Sequence, residues 1–374
     1  MTDLNHTFCH PHGELQLQRW PRRRDEALRA WDGADRYLLE VLAEEGAAVA
    51  RPLVLNDNCG ALALSLLARG LPVASSNDSW LSQAALLANA ADNALSLERL
   101  QWCWADQPLP AADAVLLRVP KELSLLEWQL AALTATQPSG TQVWVAGMDK
   151  HLPPLLLELL GRYLDQAHAG LGRHKARVFR GRVAAQPRLA PPSGPLEVEQ
   201  TGWQLQVRAG VFSRQQLDIG ARFLLDHVPT GVCGDICDLG CGNGVIGMMA
   251  LQNNPAARVV FCDESALALA SARDNVARYF ADRDVGFHHG NGLDGVEQQF
   301  DLILLNPPFH RGHAVDDSVA RMLFRHARRQ LKPQGRLRVI GNSHLDYATV
   351  LRRSFGTVRQ VARNSKFTIH DALG

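Results

Sequence analysis

DICDLGCGNGVIG, residues 235–247, is the stretch on which the rest of the chain is organised. Its apolar run, with Ile236, Cys237 and Leu239, reads as a buried strand, and it breaks at once into glycines at 240, 242, 244 and 247. The order is strand, tight loop, helix start. Glycines at alternate positions let the backbone take positive φ and let a ligand approach main-chain atoms that a Cβ would shield. An ordinary turn between a strand and a helix gains nothing from so many glycines, so the loop implies a nucleotide-like cofactor.

The loop alone leaves the cofactor open, because Gly242, Gly244 and Gly247 also spell the GxGxxG of NAD-binding folds. Asp238 at the strand end, followed by Gly240, adds a carboxylate able to face a cationic ammonium such as the one in S-adenosylmethionine. With that residue the loop resembles the cofactor loop of class I methyltransferases. Downstream, the alternating strand in ARVVFCDES ends at Asp263, about 20 residues past the glycines, where a βαβ unit puts its acceptor for ribose hydroxyls. A helix N-cap role for Asp263 is compatible with that one.

The strand FDLILL closes on Asn306-Pro307-Pro308-Phe309. Two prolines at a strand end remove donors and fix φ, leaving the preceding carbonyls free to accept from something else. Methylation of a planar exocyclic amine has that need. The amine's lone pair must face the methyl donor, and its two N–H groups can be held by the Asn306 side-chain oxygen and the Pro307 carbonyl, with Phe309 stacked on the ring. NPPF resembles the motif of amino-group methyltransferases, which act on guanine N2, adenine N6, cytosine N4 or glutamine. That chemistry requires no metal.

Upstream, RPLVLNDNCGALALSLL at 51–67 has the shape of residues 235–251 with most of the glycines gone. The likeness continues in register: SSNDSWLSQAALLANA follows VVFCDESALALASARDNV, and ADAVLLRVPKEL follows FDLILLNPPFH. This is an internal duplication. The first copy carries Asn56, Asp57 and Asn58 in place of the glycine loop, and Arg118-Val119-Pro120-Lys121 in place of NPPF. It keeps the fold and loses the chemistry, so a role in recognition or in support of the active copy is expected.

Composition agrees with two globular domains: 374 residues, 46% hydrophobic, formal net charge +1. A polybasic binder is excluded, and any contact with nucleic acid must come from local patches. One is Arg173, Lys175, Arg177, Arg180, Arg182 and Arg188, with no acid between Asp165 and Glu197; a second is Arg321, Arg325, Arg328 and Lys332 on one face of a helix, with no acid between Asp317 and Asp346. Both are also readable as solvated faces. The seven cysteines fit free thiols better than a secreted disulfide framework, and the spacing of Cys233, Cys237 and Cys241 is not that of a cluster site. MTDLNHTFCH lacks a charged start followed by an apolar core, and no apolar run approaches ~18 residues, so a soluble, cytoplasmic protein is expected, without membrane or metal.

The tandem pair with its degraded first half, the DLGCGNGVIG loop, VFSRQQLDIGARFLL and NPPFH together resemble the bacterial ribosomal RNA guanine-N2 methyltransferases over almost the whole chain. The resemblance implies an α/β protein of two tandem Rossmann-like class I methyltransferase domains: a degenerate one at 1–185, a linker at 186–195, and a catalytic one at 196–374. It implies S-adenosylmethionine as cofactor and rRNA as partner, with the 23S-directed branch favoured over its 16S-directed sister. It also implies that Phe212 and Asp218 lie over the cofactor and that Asn291 lies near the adenine, although Asn291-Gly292 also reads as a plain turn. The candidate site is therefore Asp238, Gly240, Gly242, Gly244, Asp263, Asn291 and Phe212 for the cofactor, and Asn306, Pro307, Pro308 and Phe309 for catalysis. N-methylation of a protein glutamine, an NAD-dependent oxidoreductase and a non-catalytic RNA-binding assembly factor are the alternatives.

Overall fold

The computed structural model describes residues 6–23, 26–191, 194–308 and 314–374, with 314–317 described as backbone only. Phe309 lies outside the described residues. The chain divides into two compact units, Met1–Pro192 and Ser193–Gly374.

The first unit runs β1 (Thr7–His10), β2 (Gly13–Gln16), α1 (Gly33–Glu44), β3 (Pro52–Leu55), α2 (Ala61–Leu67), β4 (Val73–Asn77), α3 (Trp80–Asp92), β5 (Leu100–Trp104), β6 (Ala114–Arg118), α4 (Leu123–Thr136), β7 (Gln142–Met148), α5 (Leu156–Gly161), β8 (Leu164–Arg173) and β9 (Ala176–Val183). The second runs β10 (Leu196–Val198), β11 (Trp203–Leu205), α6 (Ile219–Leu225), β12 (Asp235–Leu239), α7 (Val245–Asn253), β13 (Arg258–Asp263), α8 (Ala266–Tyr279), β14 (Val285–His289), β15 (Phe300–Leu305), α9 (Ala314–Gln330), β16 (Leu331–Asn342), α10 (Tyr347–Arg352), β17 (Thr357–Arg363) and β18 (Phe367–Leu373).

Each unit holds a seven-stranded sheet, and the two strand orders correspond position for position: β5-β4-β3-β6-β7-β9-β8 and β14-β13-β12-β15-β16-β18-β17. The first five strands of each are parallel, and an antiparallel pair closes the far edge. Parallel strands covered on both faces must be apolar throughout, and in FDLILL every residue except Asp301 is buried. The hydrophobic clusters accordingly lie on both faces of the first sheet. The chain winds outward in opposite directions from β12 and β15, so their carboxyl ends leave a crevice between them, the usual ligand position in an open α/β sheet.

LEVEQTGWQL forms the β10–β11 hairpin, in which Leu196 pairs with Leu205 and Val198 with Trp203. No helix among the described residues is long and apolar enough to cross a membrane.

Candidate active site

The glycine loop is built as its sequence demands. Gly240, Gly242 and Gly244 have φ of 72°, 53° and 86°. A Cβ on Gly244 would come within 2.9 Å of the Ala272 Cβ, whereas one on Gly240 or Gly242 would meet no atom of the described residues within 4 Å. Gly244 is thus needed for packing as well as φ, while Gly240 and Gly242 leave open space over bare backbone. Gly247 serves a different end: a Cβ there would lie 2.3 Å from the Phe261 ring, so its absence lets α7 close on β13.

Asp238 sits beneath this loop, fully buried. Its Oδ2 accepts from the Gly247 N–H at 2.8 Å, and its Oδ1 has no partner among the described residues. Burial pushes its carboxyl up to about 7; the Gly247 N–H offsets part of that, and the nearby Asp263 adds to it. A buried carboxylate oxygen in this state calls for a cation or a proton. Asp263, at the end of the adjacent β13, accepts from Gly242 N at 2.9 Å and from Ser265 N at 3.0 Å, which ties the loop to the next strand. The N-cap of α8 is Ser265, not Asp263. Open glycine backbone, a carboxylate at the β13 end and a buried acid with one unpartnered oxygen below fit a cofactor with a ribose and a cationic amino-acid part, as S-adenosylmethionine has.

Asn291 is buried, and its Nδ2 donates to Asp294 Oδ2 at 2.9 Å, closing a turn after β14. The turn reading of Asn-Gly is therefore realised, on the same edge of the sheet as the cofactor loop. Phe212 is 67% exposed in the segment before α6.

At the end of β15, Asn306 is half-buried, Pro307 buried and Pro308 exposed. Asn306 Nδ2 donates to Asp218 Oδ2 at 3.4 Å, and Asn306 Oδ1 is a buried acceptor without a partner among the described residues. Asp218 is the N-cap of α6, where the same Oδ2 accepts from Ala221 N at 2.9 Å. A carboxylate that can only accept turns the amide so that its NH2 faces inward and its oxygen faces out. This contact was not legible in the sequence, whose only hint was an aspartate before a helix. Leu239 pairs directly with Leu305, so Asp238 and Asn306 stand at the ends of neighbouring strands. Two unpartnered oxygens of different character therefore flank one crevice.

Residues 202–371 match the methyltransferase small domain family, and residues 5–185 match the RLMG N-terminal domain. The sequence is 54% identical to ribosomal RNA large subunit methyltransferase G of Alcanivorax borkumensis, over 98% of this chain and 97% of that one. The chain belongs to the ribosomal RNA large subunit methyltransferase G family. Its Klebsiella pneumoniae relative of that name is 43% identical over 96% of each chain. Among solved structures, the T. thermophilus 16S rRNA N2 G1207 methyltransferase in complex with AdoMet and guanosine matches at a TM-score of 0.76 and 20% identity, covering 98% of this chain and 97% of that one. That likeness shows a common fold in both halves.

In this member of the large subunit methyltransferase G family the first half keeps the frame of the site and closes its chemistry. Strand pairing sets Leu55 beside Leu117 as Leu239 is beside Leu305, so Arg118 stands where Asn306 stands. Asn89 and Asn275 confirm the correspondence: the Nδ2 of Asn89 donates to Gln18 O and Cys59 O, and that of Asn275 to Gln206 O and Asn243 O. The N-cap aspartate recurs as Asp32, but its partner is now Arg118 at 2.8 Å, which also binds Asp35. A guanidinium has donors only and offers an amine's N–H nothing to bind. Asp57 fills the loop, its Oδ1 accepting from Gly60 N at 3.0 Å and its Oδ2 from Leu62 N at 2.9 Å and Ala63 N at 2.8 Å. Val54 stands at the strand position of Asp238, and Asp57, which takes the Ala63 N–H as Asp238 takes that of Gly247, is satisfied internally; Asn77 replaces Asp263 at the next strand end.

The structure separates the two basic runs. In the β8–β9 hairpin, Arg173 binds Glu44 at 2.5 Å, Arg177 binds Asp149 at 3.4 Å and Arg180 binds Glu45 at 2.5 Å. Arg182 donates to Gly140 O at 3.1 Å and Arg188 to Arg162 O at 2.8 Å. The run that reads as a bare cationic stripe is largely neutralised by acids from α1 and its C-terminal end. Cys237 lies against Cys262, with 3.6 Å between their sulfurs, and not against Cys233 or Cys241. Among the described residues no group of three or more His, Cys, Asp or Glu is arranged to hold a metal.

Proposed function

We propose that the chain transfers a methyl group from S-adenosylmethionine to the N2 amino group of a guanine in 23S rRNA, in the cytoplasm. The observation that carries the reading is the pair of unpartnered buried oxygens, Asp238 Oδ1 and Asn306 Oδ1, at the ends of neighbouring strands. One is ionisable and answers to a cation; the other is a neutral acceptor and answers to an N–H. The large-subunit names of the relatives support rRNA of that subunit, and the guanine-N2 name of the matched structure supports the atom.

S-adenosylmethionine supplies an activated methyl on a sulfonium, so the chain's own residues need only bind, orient and exclude water. Gly240 and Gly242 offer bare backbone, Asp263 accepts from the ribose hydroxyls, and Asp238 balances positive charge from beneath the loop. Phe212 covers the cofactor and Asn291 lies by the adenine. Asn306 Oδ1 and the Pro307 carbonyl accept the two N–H groups of the amine, Pro308 stiffens the turn, and Phe309 stacks on the base. An amide is no base, so Asn306 aligns the nitrogen without deprotonating it; the products would be S-adenosylhomocysteine and the methylated amine, whose extra proton would pass to solvent. The degenerate domain, 1–185, joined through 186–195 to the catalytic 196–374, serves recognition or support and does no chemistry.

The test is transfer of labelled methyl to rRNA from cells lacking this gene, with Asn306→Ala beside the wild type. Label as N2-methylguanosine in 23S rRNA, lost in the variant, is expected. Label in 16S rRNA or on a protein glutamine overturns the substrate; unchanged labelling by Asn306→Ala overturns the site.

A further inference from the structure

Between Asp317 and Asp371 the chain carries twelve Lys or Arg and one acid, Asp346. Five of the twelve are engaged: Arg328 donates to Ser354 O, Arg329 reaches Asp294, Lys332 bridges Asp235 and Asp301, and Arg336 and Arg338 bind Asp371. The other seven, Arg321, Arg325, Arg352, Arg353, Arg359, Arg363 and Lys366, are all exposed, and none makes a side-chain hydrogen bond or ion pair among the described residues. This is the reverse of the β8–β9 hairpin, where Arg173 and Arg180 are answered by Glu44 and Glu45 at the end of α1 and Arg177 by Asp149. Seven cations gathered with a single acid, Asp346, which lies within electrostatic reach of Arg352, leave a net positive face and raise the local potential, an arrangement suited to a polyanion.

The placement adds direction. Leu323, Phe324 and Ala327 of α9 and Tyr347 and Leu351 of α10 join one core cluster on one face of the sheet, and the Phe324 and Tyr347 rings meet edge-on at 5.2 Å. The two helices are therefore neighbours, with Arg321 and Arg325 outward on one and Arg352 and Arg353 at the end of the other. Between them opens a cleft of about 280 Å3, lined by Arg321, Phe324, His344, Asp346 and Tyr347 among others. His344 and Asp346 lie in the turn that follows β16, and β16 pairs with β15, the strand that ends at Asn306. The cleft opens at the same carboxyl edge as the candidate methyl acceptor site, about 5 Å to the side per strand.

We propose that the α9–α10 face is the track for the RNA backbone, with the Arg321–His344 cleft taking a nucleotide that adjoins the target base. The inference rests on the proposed RNA substrate. A target guanine turned out of its stack leaves flanking phosphates that must be held, and cations running from Arg321 at the cleft to Arg352 and Arg353 at the far end of α10 would fix its register without reading sequence.

The experiment measures equilibrium binding of unmodified 23S rRNA transcribed in vitro, as a function of salt, for the full-length protein and for Arg321→Gln/Arg325→Gln and Arg352→Gln/Arg353→Gln. The control is Arg177→Gln/Arg182→Gln in the first unit. Each double variant on the α9–α10 face makes the plot of log affinity against log salt shallower by ~1.4, about 0.7 for each phosphate of a single strand that is no longer neutralised. KM for RNA rises while cofactor affinity and kcat at saturating RNA stay put. An unchanged slope in the face variants overturns the proposal, as does an equal change in the control. Charge removal without reversal keeps the fold testable, and unaltered S-adenosylmethionine binding verifies it. Absence of methyl transfer by the wild type would instead count against the proposed reaction, since the binding slopes are read without it.

Discussion

Asn306 Nδ2 and Asp218 Oδ2 meet at 3.4 Å across 88 residues of sequence, and this contact orients the one polar side chain of NPP. Asp218 acts through Asn306 and is a positioning residue. Asp218→Ala frees the amide to rotate and removes a helix cap worth ~1 kcal/mol. The expected outcome is a fall in kcat of roughly tenfold or more with little change in cofactor affinity, on the scale expected from losing near-attack alignment. Asp218→Asn, which can still accept from Asn306 and cap α6, restores most of the rate; equal losses in the two variants would mark the contact as merely structural.

Asn306→Ala should lower kcat by ~10²-fold or more, because alignment carries the step. S-adenosylmethionine affinity, measured by calorimetry, is expected to stay within a few-fold of wild type. Parallel losses in turnover and cofactor binding would count against the assigned role. Asn306→Asp puts a second carboxylate beside Asp218, so its residual activity should fall as pH rises and the pair is forced to ionise.

The parts of this architecture written locally were readable from residues alone. The quoted strand, the positive φ of three alternate glycines and the hairpin at Thr201-Gly202 follow from short-range pattern, and the duplication follows from repeated pattern. What escaped depends on residues brought together by folding. Arg173 and Arg180 look unopposed in their own stretch because Glu44 and Glu45, which neutralise them, lie about 130 residues upstream. Asp218, expected only to lie over the cofactor, caps α6, and its second partner, Asn306, comes from another strand end. Asn291 shows the opposite case: its short-range turn reading is realised in the structure through its bond to Asp294, and it is compatible with a place beside the cofactor.

Asp238 gives a pH signature. Its folded-state carboxyl is pushed by burial up to about 7, above the 3.8 of a free aspartate. A raised folded value means that the stability it contributes is fully present below pH 3.8 and is lost as pH rises through about 7, where the folded state must hold a buried charge. Cofactor binding runs the other way: the ionised form attracts the cation, so affinity should tighten between about pH 6 and 8 and proton release should accompany binding near neutrality. Asp238→Asn should flatten that profile, weaken binding and stabilise the cofactor-free protein at pH 8 by roughly 2–4 kcal/mol. A wild-type affinity independent of pH would show that the acid only shapes the loop.

Arg118 in the first unit makes the matching prediction for a half without chemistry. Its guanidinium binds Asp32 at 2.8 Å and also the buried Asp35, at the position where the second unit has Asn306. Arg118→Ala leaves a buried carboxylate unpaired, which typically costs about 3–5 kcal/mol. Burial already pushes the Asp35 carboxyl up, with the Arg118 charge opposing that rise. Without the guanidinium its pKa climbs further, and Asp35 can escape the penalty by taking a proton. The destabilisation should therefore be large at pH 8 and smaller at pH 5, read as the melting of the first unit in the full-length protein. Arg118→Met, of similar volume but without charge, should behave in the same way, because the penalty comes from the acids left behind; a loss independent of pH would trace the defect to packing instead.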